Sequence, residues 1–340
     1  MSKKNSNVLN LKSTIIKDRK IFKIYKDFKR EISKITNNKP FIAAISGGAD
    51  SLALAALSEL YRIEKKIIIH FILIDHGIRK NSQKEAKSVQ KLLKKFSIFL
   101  KIKKNSRKIK ANIQKAARDT RYKFLSDFCI KKKIKYILTA HHMDDQIETF
   151  LIRLSRGSGV QGLSSMNRVS KLSNKVKIVR PFLDIKKKDL QHISKKVFKK
   201  IFEDPSNKNK KYLRTRIRSL KDKFERSGIS HSQIIRSINN LATSRDIINN
   251  YLNQAIKLLT EKRRNEVLIK LKPLLLENEE IQFKVLSQSI QNFSKSYYPP
   301  RSKKIFNILN KLKERKKLKS TLAGCVIEKT GLNLSITREG

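Results

Sequence analysis

The sequence is poor in cysteine. It has two cysteines among 340 residues, Cys129 and Cys325, which lie far apart and form no C-x-x-C pair. A disulfide framework or a cysteine-rich metal site needs more cysteines, or cysteines at closer spacing. We interpret both residues as reduced thiols in the core, and the sequence excludes a fold held together by disulfides.

Long apolar runs are also missing. No stretch approaches the roughly 20 apolar residues that a membrane-spanning helix needs. The basic start, Met1-Ser2-Lys3-Lys4, is not followed by the uninterrupted apolar segment of a secretory signal. We therefore expect a cytoplasmic protein without a membrane partner. A mitochondrial transit peptide is the alternative that the basic start leaves open.

Acidic residues are scarce beside basic ones. Asp and Glu total 28 against 80 Lys and Arg, which gives a formal net charge of +52. Because such an excess repels itself, it favours a polyanionic partner, and nucleic acid is the first candidate. Part of the excess is also explained if AT-rich codons enrich the chain in Lys, Ile and Asn together. Anionic lipid is the other polyanion that the charge leaves open.

Short apolar runs alternate with helical patterns over the first half of the chain. Strands are predicted at residues 41–45, 67–74, 98–102 and 134–138, and helices at residues 21–35, 51–61, 85–96, 112–130 and 144–155. Strands that are apolar on both faces and separated by helices indicate a parallel α/β sheet.

The alternation fades after about residue 185, and most of the later sequence has helical periodicity. Gly228 and Ser230 mark a boundary, and residues 321–336 alternate like a hairpin. We predict two domains. Residues 1–226 form an α/β catalytic domain with a basic extension over residues 1–38, and residues 227–340 form a smaller, mainly helical and basic domain.

A phosphate-binding turn comes after the first predicted strand. It consists of Ser46, Gly47, Gly48, Ala49, Asp50 and Ser51, and a helix comes next. The glycines let the backbone approach an anion, free N–H groups at the helix start point at it, and the two serines add hydroxyl donors. Asp50 would repel a bare phosphate, but it suits a Mg²⁺ ion that bridges phosphates. The G-K-[ST] ending of a Walker A loop is absent, and an ordinary glycine turn is the alternative.

A second glycine pattern carries a different prediction. Gly157, Gly159 and Gly162 spell G-x-G-x-x-G, but they come after a predicted helix rather than a strand. A dinucleotide site needs the strand before the glycines. We therefore predict a turn or a loop beside the active site.

Polar side chains are dense where the strand at 134–138 ends. Residues 139–149 read T-A-H-H-M-D-D-Q-I-E-T, and Asp145 and Glu148 share a helix face at i, i+3. The carboxyl edge of a parallel sheet is where ligands bind. The acids could bind and deprotonate an amine, or join the histidines in holding a metal, and a solvated helix start is the bland alternative.

Three more polar segments complete an ordered set. They are D-H-G-I-R at residues 75–79, A-R-D-T-R-Y at 117–122, and D-P-S-N at 204–207 leading to Y-L-R-T-R-I-R at 212–218. Together with S-G-G-A-D-S, A-H-H-M-D-D-Q-I-E-T, R-G-S-G at 156–159 and R-P-F-L at 180–183, the set resembles the tRNA(Ile)-lysidine synthetase family of PP-loop (N-type) ATP pyrophosphatases. The segment T-L-A-G-C at 321–325 with Arg338 and Glu339 resembles that family less specifically. Thr215 departs from it, because the family commonly has Asn there.

The resemblance implies a fold and a reaction. The fold is an adenine nucleotide α-hydrolase-like domain. ATP would adenylate the wobble cytidine of a tRNA(Ile) with a CAU anticodon, with Mg²⁺ as the metal, and the ε-amine of free lysine would displace AMP to give lysidine. A homodimer is one open alternative for the assembly.

The resemblance also implies site residues. His141, Asp145, Glu148 and Arg121 would line the place where adenylate and lysine meet, with Asp145 as the candidate base. The loop residues 46–51 would hold ATP, with Asp50 on the metal. We expect the tRNA backbone at Arg214, Arg218, Lys303 and Lys304.

Two rival functions stay open on the sequence. Another PP-loop enzyme, a tRNA thiolase, is disfavoured because Cys129 and Cys325 are unpaired and lie in no strand-end loop. A non-catalytic basic RNA-binding protein would leave the acidic, histidine-rich segment at 141–148 without a purpose.

Overall fold

The computed structural model describes residues 3–78, 81–105, 113–200, 202, 213–296, 299–314 and 317–339. The chain divides into two compact units, residues 1–240 and 241–340. Within the described ranges, no helix is both long enough and apolar enough to cross a membrane.

A mostly parallel sheet forms the centre of the first unit. Its strands are β1 (Phe41–Ile45), β2 (Ile69–Asp75), β3 (Leu100–Lys104), β4 (Tyr136–Leu138), β5 (Val169–Lys171) and β6 (Lys177–Val179). The order is β3-β2-β1-β4-β6-β5, and β5 alone pairs with its neighbour in antiparallel fashion. The chain winds from β1 to one edge and then returns to β4 on the other side of β1. The loops after β1 and β4 therefore meet at a switch point, where open α/β sheets bind ligands.

Helices surround this sheet. They are α1 (Lys3–Lys17), α2 (Arg19–Thr36), α3 (Ala49–Lys65), α4 (Ser82–Lys94), α5 (Ile113–Lys131), α6 (Met143–Leu154), α7 (Val160–Leu163), α8 (Lys187–Phe198), α9 (Leu213–Ser219), α10 (Lys221–Arg226) and the start of α11 (His231–Leu259).

The two faces of the sheet are buried by different helices, which is why its central strands β1, β2 and β4 are apolar at nearly every position. Phe41 and Ala43 of β1 belong to the large cluster that includes side chains of α1, α2, α3, α4 and α8. Ile42, between them, belongs to a second cluster with Leu125 and Cys129 of α5. The predicted parallel α/β sheet is thus confirmed, and the four predicted strands correspond to β1–β4.

The junction between the units falls inside α11 rather than at the glycine before it. Ile234 and Ile238, in the first turns of this helix, pack with Ile147 of α6. That contact holds the beginning of α11 to the first unit, and the division comes after Asn240. The domain boundary predicted after residue 226 falls at the turn between α10 and α11.

Helices and an antiparallel sheet make up the second unit. Its remaining elements are β7 (Thr260–Lys262), β8 (Glu266–Lys270), α12 (Leu271–Leu276), α13 (Glu279–Ser294), α14 (Ser302–Glu314), β9 (Lys319–Leu322), β10 (Cys325–Thr330) and β11 (Asn333–Arg338). The strand order is β7-β8-β11-β10-β9. The predicted hairpin is confirmed as β10 and β11, which pair antiparallel, whereas β7 and β8 add strands that the helical pattern did not indicate.

Candidate active site

The turn after β1 has a backbone shape that requires glycine. Gly47 has φ +94°, and a Cβ atom there would lie 2.8 Å from Cγ2 of Val89 on α4. Gly48 precedes the first residue of α3 in an extended conformation, φ −67° and ψ 161°, and supplies no side-chain cap. The N–H groups that begin α3 are therefore left for an anion rather than for a capping side chain.

Ser51 organises this turn from inside. Its hydroxyl donates to the carbonyl of Gly48 at 2.9 Å and accepts from the N–H groups of Ser46 and Gly47, each at 3.1 Å. The side chain is buried. The sequence predicted that Ser51 donates to phosphate, but in the structure that proton is used within the loop, so Ser51 fixes the loop's shape.

Asp50 presents an unused oxygen at the start of α3. Its Oδ1 atom is buried and has no hydrogen-bond partner among the described residues, while Oδ2 lies 3.5 Å from Nε2 of His142. A buried carboxylate oxygen without a donor is costly unless a cation or a proton occupies it. Oxygen is also the ligand that Mg²⁺ prefers, so the residue fits the metal position that the sequence predicts for it.

His142 connects the phosphate loop to the acids of α6. It is the N-cap of that helix: its backbone N–H donates to Oδ2 of Asp145 at 3.1 Å, and its Nδ1 accepts from the N–H of Asp145 at 3.4 Å. The Nε2 atom lies 3.5 Å from Asp145 as well as from Asp50. One imidazole thus spans the two carboxylates that the sequence assigned to metal and to amine chemistry.

Two arginines of α9 bind the carboxylate of Glu148. Arg214 Nε donates to one oxygen of its carboxylate at 2.7 Å, and Arg218 Nε donates to the other. The same guanidinium groups reach Asp145, with Nη2 of Arg214 at 3.6 Å and Nη2 of Arg218 at 3.9 Å from Oδ1. The acids predicted for lysine and the arginines predicted for tRNA therefore belong to one cluster.

The charges around this cluster set its protonation. Burial alone would raise the pKa of Asp145, but His142, His141 and Arg214 lower it below its ordinary value. Burial alone would lower the pKa of His142, yet Asp50, Asp145 and Asp144 raise it above its ordinary value. Burial lowers the pKa of His141 to about 3. At neutral pH, Asp145 is therefore ionised and His141 is a neutral hydrogen-bonding group.

We expect the pKa values of these neighbouring histidines to be shifted in opposite directions. His141 should keep one set of imidazole signals between about pH 5 and 8, because its proton is lost only near its depressed pKa. His142 should titrate above the ordinary histidine pKa, because the surrounding carboxylates favour its charged form. Nitrogen-detected NMR of labelled histidine, assigned with His141→Gln and His142→Gln, measures both. Parallel titration of the two near pH 6.5 would contradict this electrostatic picture.

A second histidine site lies after β2. Both ring nitrogens of His76 are buried without a hydrogen-bond partner in the described chain. Burial, and then the positive charge of Arg121 on α5, lower its pKa to about 4. The charge of Arg121 thus acts on His76, while the other predicted catalytic residues, His141, Asp145 and Glu148, lie on α6 or just before it. Asp75 accepts from the N–H of Gly77 at 3.0 Å and shapes this turn.

The other predicted positions separate into three cases. Gly157 and Gly159 lie in the turn between α6 and α7, as predicted, whereas Gly162 lies within α7, where its carbonyl accepts from Arg153 at 2.6 Å. Lys303 and Lys304 are exposed on α14 in the second unit. Arg79 and the D-P-S-N segment at 204–207 lie outside the described residues.

Sequence reasoning missed two supporting residues. Its site contained His141 but not His142, which touches both Asp50 and Asp145. The hydroxyl of Thr139 lies 2.9 Å from Nδ1 of His141 and orients that ring. An acid three residues after a helix-start side chain is the capping-box signal that could have pointed to His142.

Comparisons with known proteins agree with this arrangement. The model of the PP-loop domain family matches residues 16–222. The chain is similar to the tRNA(Ile)-lysidine synthase of Wolbachia pipientis wMel, with 36% identity over 309 residues that cover 89% of this chain and 71% of the relative. Similarity to the tRNA(Ile)-lysidine synthase of Orientia tsutsugamushi (strain Boryong) is 32% over 315 residues, 89% of this chain and 70% of the relative.

A solved structure supports the fold. The U34-tRNA thiolase NcsA from Methanococcus maripaludis aligns with a TM-score of 0.54 and 19% identity, over 65% of this chain and 79% of the thiolase. The glycine turn at the switch point and the matching family model define a PP-loop ATP-binding protein. Within that class, the chain belongs to the tRNA(Ile)-lysidine synthase family.

Proposed function

We propose that this chain joins free lysine to the wobble cytidine of a tRNA(Ile) with a CAU anticodon, using ATP and releasing AMP and pyrophosphate. The observation that carries the proposal is the single imidazole of His142, which lies 3.5 Å from both Asp50 of the phosphate loop and Asp145 of the acidic cluster. The residues that we assign to ATP and to the amine are thus side by side. The names of the relatives support the choice of tRNA.

The reaction has two displacements. The 2-carbonyl oxygen of cytidine attacks the α-phosphorus of ATP, and pyrophosphate leaves. The ε-amine of lysine then attacks C2 of the adenylated base, and AMP leaves with the former carbonyl oxygen. The ε-ammonium must lose one proton before it attacks and a second after the bond forms. Holding both reactants in place supplies much of the rate increase in such a reaction.

The phosphate loop would bind the triphosphate of ATP. The free N–H groups at the start of α3 would donate to phosphate oxygens, and Ser51 would keep the loop open in the shape that Gly47 permits. Asp50, with its unpartnered Oδ1, is the residue we assign to Mg²⁺. Bound Mg²⁺ would neutralise charge on the transferring and leaving phosphates.

The acids of α6 would receive the lysine side chain. Because the pKa of Asp145 is lowered, the residue is ionised at neutral pH and attracts an ammonium group. It is our candidate for accepting the proton that the ε-ammonium loses. Glu148 is held at a defined position by Arg214 and Arg218, whose guanidinium groups offset its negative charge.

Sulfur transfer is the rival reaction, and the two cysteines do not support it. Cys129 is buried against the sheet, and burial raises its pKa to about 12. Cys325 is buried in the core of the second unit. A thiol that carries sulfur must be exposed and readily ionised, so neither residue suits that role.

The bond cleaved in ATP tests the proposed function. We expect AMP and pyrophosphate in equal amounts, formed only when tRNA is present. Without lysine, the reaction should stop at the adenylated tRNA. Chromatography of labelled nucleotides separates AMP from ADP. Formation of ADP and phosphate under tRNA-dependent turnover would exclude the proposed reaction.

We further propose that Lys303 and Lys304 hold the tRNA backbone. Replacing both by Gln should weaken tRNA binding and reduce the slope of log K against log salt by roughly 1.4–1.8, because each lost phosphate contact changes the slope by about 0.7–0.9. Lys195→Gln with Lys196→Gln, an exposed pair on α8, is the matched control. Equal slopes for the two double variants would mean that the charge of Lys303 and Lys304 is merely compositional.

The proposal also covers the cellular location of the reaction and the oligomeric state of the chain. We assign the reaction to the cytoplasm, where tRNA, ATP and free lysine are available together. A homodimer remains a prediction. Light scattering with and without tRNA measures the assembly directly.

A further inference from the structure

Two aromatic rings stack on the outside of the second unit. Phe283 of α13 and Phe306 of α14 lie with ring centroids 4.8 Å apart and planes inclined by 21°. Phe306 is 43% exposed, whereas Phe283 is partly buried against the core of this unit. The pair therefore presents one supported ring to solvent.

The core does not explain this exposed ring. The buried face of α14 consists of Ile305, Ile308, Leu309 and Leu312, each at most 3% exposed. Phe306 points away from that face and is held by Phe283 alone among the described aromatic contacts. Large exposed apolar side chains that the core does not need are candidates for recognition.

The surroundings of Phe306 are basic and polar. Lys303 lies three residues before it and Asn310 four residues after it, so all three share one exposed face of α14. Lys304 and Lys311 are exposed on the same helix. A π-face flanked by cations and by an amide suits a nucleobase, whose phosphate can meet the lysine and whose edge can meet the amide.

We propose that Phe306 is a stacking platform for an unpaired base of the tRNA substrate. The proposal rests on the proposed function, because it takes RNA as the partner. Single-stranded loops and ends offer bases that can leave the helix and stack on aromatic side chains, whereas paired bases cannot. Phe283 supports the ring from behind, and Lys303 sits where the backbone of the stacked nucleotide would pass.

The absence of tryptophan from the chain allows a direct test. Phe306→Trp creates a single tryptophan at the platform and preserves an aromatic face. Adding an excess of a tRNA(Ile) transcript to the full-length variant should quench its fluorescence, because a stacked base quenches indole emission. A blunt-ended RNA duplex of equal length should bind through its phosphates and leave the emission nearly unchanged.

A matched control comes from the same unit. Tyr251 is also an exposed aromatic residue, 50% accessible, but its hydroxyl donates to Glu277, so an acid lies beside it. Tyr251→Trp should show no quenching with the same tRNA. Equal quenching of both variants would mean general proximity to RNA and would overturn the platform.

Affinity supplies the second measurement. Phe306→Leu keeps an apolar side chain but removes the ring, and tRNA affinity should fall roughly 5- to 150-fold, the range for losing one base stacked on an aromatic side chain. Phe306→Tyr should stay close to wild type. Equal affinity of the leucine variant, with unchanged thermal stability, would contradict the proposal.

The source of the base is decided with two shortened RNAs. One is tRNA without its single-stranded 3′ end, and the other is the anticodon stem–loop alone. Quenching that persists with both shortened RNAs assigns a base of the anticodon loop, and quenching lost with the 3′ truncation assigns the single-stranded end. If quenching occurs while no lysidine forms under any condition, the platform stands and the proposed reaction falls.

Discussion

Replacing Asp145 by Asn should lower the rate of lysidine formation about 10²–10⁴-fold, the usual effect of losing one general base. The amide keeps the shape of the side chain, and its oxygen can still accept the backbone N–H of His142 that closes the helix cap. What disappears is the negative charge beside His142, Arg214 and Arg218. ATP binding should persist, because the phosphate loop lies on α3 and not on α6.

Asp144→Asn provides the control for this variant. Asp144 is the preceding residue of the same helical turn, and its carboxylate accepts the N–H of Lys187, a contact that an amide oxygen preserves. The same charge is removed, but we expect less than about a tenfold loss of rate because no step is assigned to it. Wild-type rates for Asp145→Asn across pH 6–9 would show that Asp145 is not the base.

Gly47→Ala should strongly weaken ATP binding. The added Cβ atom would approach Val89 to 2.8 Å, and alanine would be forced to φ +94°. Left-handed backbone costs about 1–2 kcal/mol and overpacking about 1–3 kcal/mol. If the loop moves to relieve this strain, ATP binding would weaken roughly 30- to 5,000-fold. Isothermal titration with a non-hydrolysable ATP analogue measures the loss.

Gly48→Ala is the comparison for this glycine. Its Cβ atom would meet nothing closer than Oγ of Ser46 at 3.9 Å, and φ is −67°, which alanine adopts readily. Some loss of affinity is expected from crowding the phosphate, but it should be clearly smaller than for Gly47→Ala. If the two variants bind ATP equally, the loop shape does not depend on the left-handed residue.

Local patterns predicted the first unit well. The strand at 41–45 was predicted from a run of apolar residues, and the turn after it from glycines followed by a helical pattern. In the structure, β1 has the predicted bounds. The helix at 144–155 was recognised from its periodicity and is α6. In each case, the information lies within a few neighbouring residues, so no knowledge of distant contacts was required.

Contacts between distant segments could not be predicted in this way. The bonds from Arg214 and Arg218 to Glu148 join residues 66 and 70 positions apart. No periodicity in either helix indicates that α9 lies against α6. The strands β5 and β6 have three residues each, too few for an alternating pattern, and they exist because pairing with β4 and with each other stabilises them. The resemblance to a family identified these segments in their order along the chain, but it did not predict the distances between their side chains.

Mass spectrometry of the tRNA tests the central claim most directly. An unmodified tRNA(Ile) transcript with a CAU anticodon is incubated with the full chain, ATP, Mg²⁺ and lysine, then digested to nucleosides. We predict one cytidine, at the wobble position, that gains the mass of lysine less one water. An ¹⁸O label at the 2-carbonyl of that cytidine should be recovered in AMP. An unchanged cytidine, or a cytidine in which sulfur replaces the oxygen, would contradict the proposed reaction.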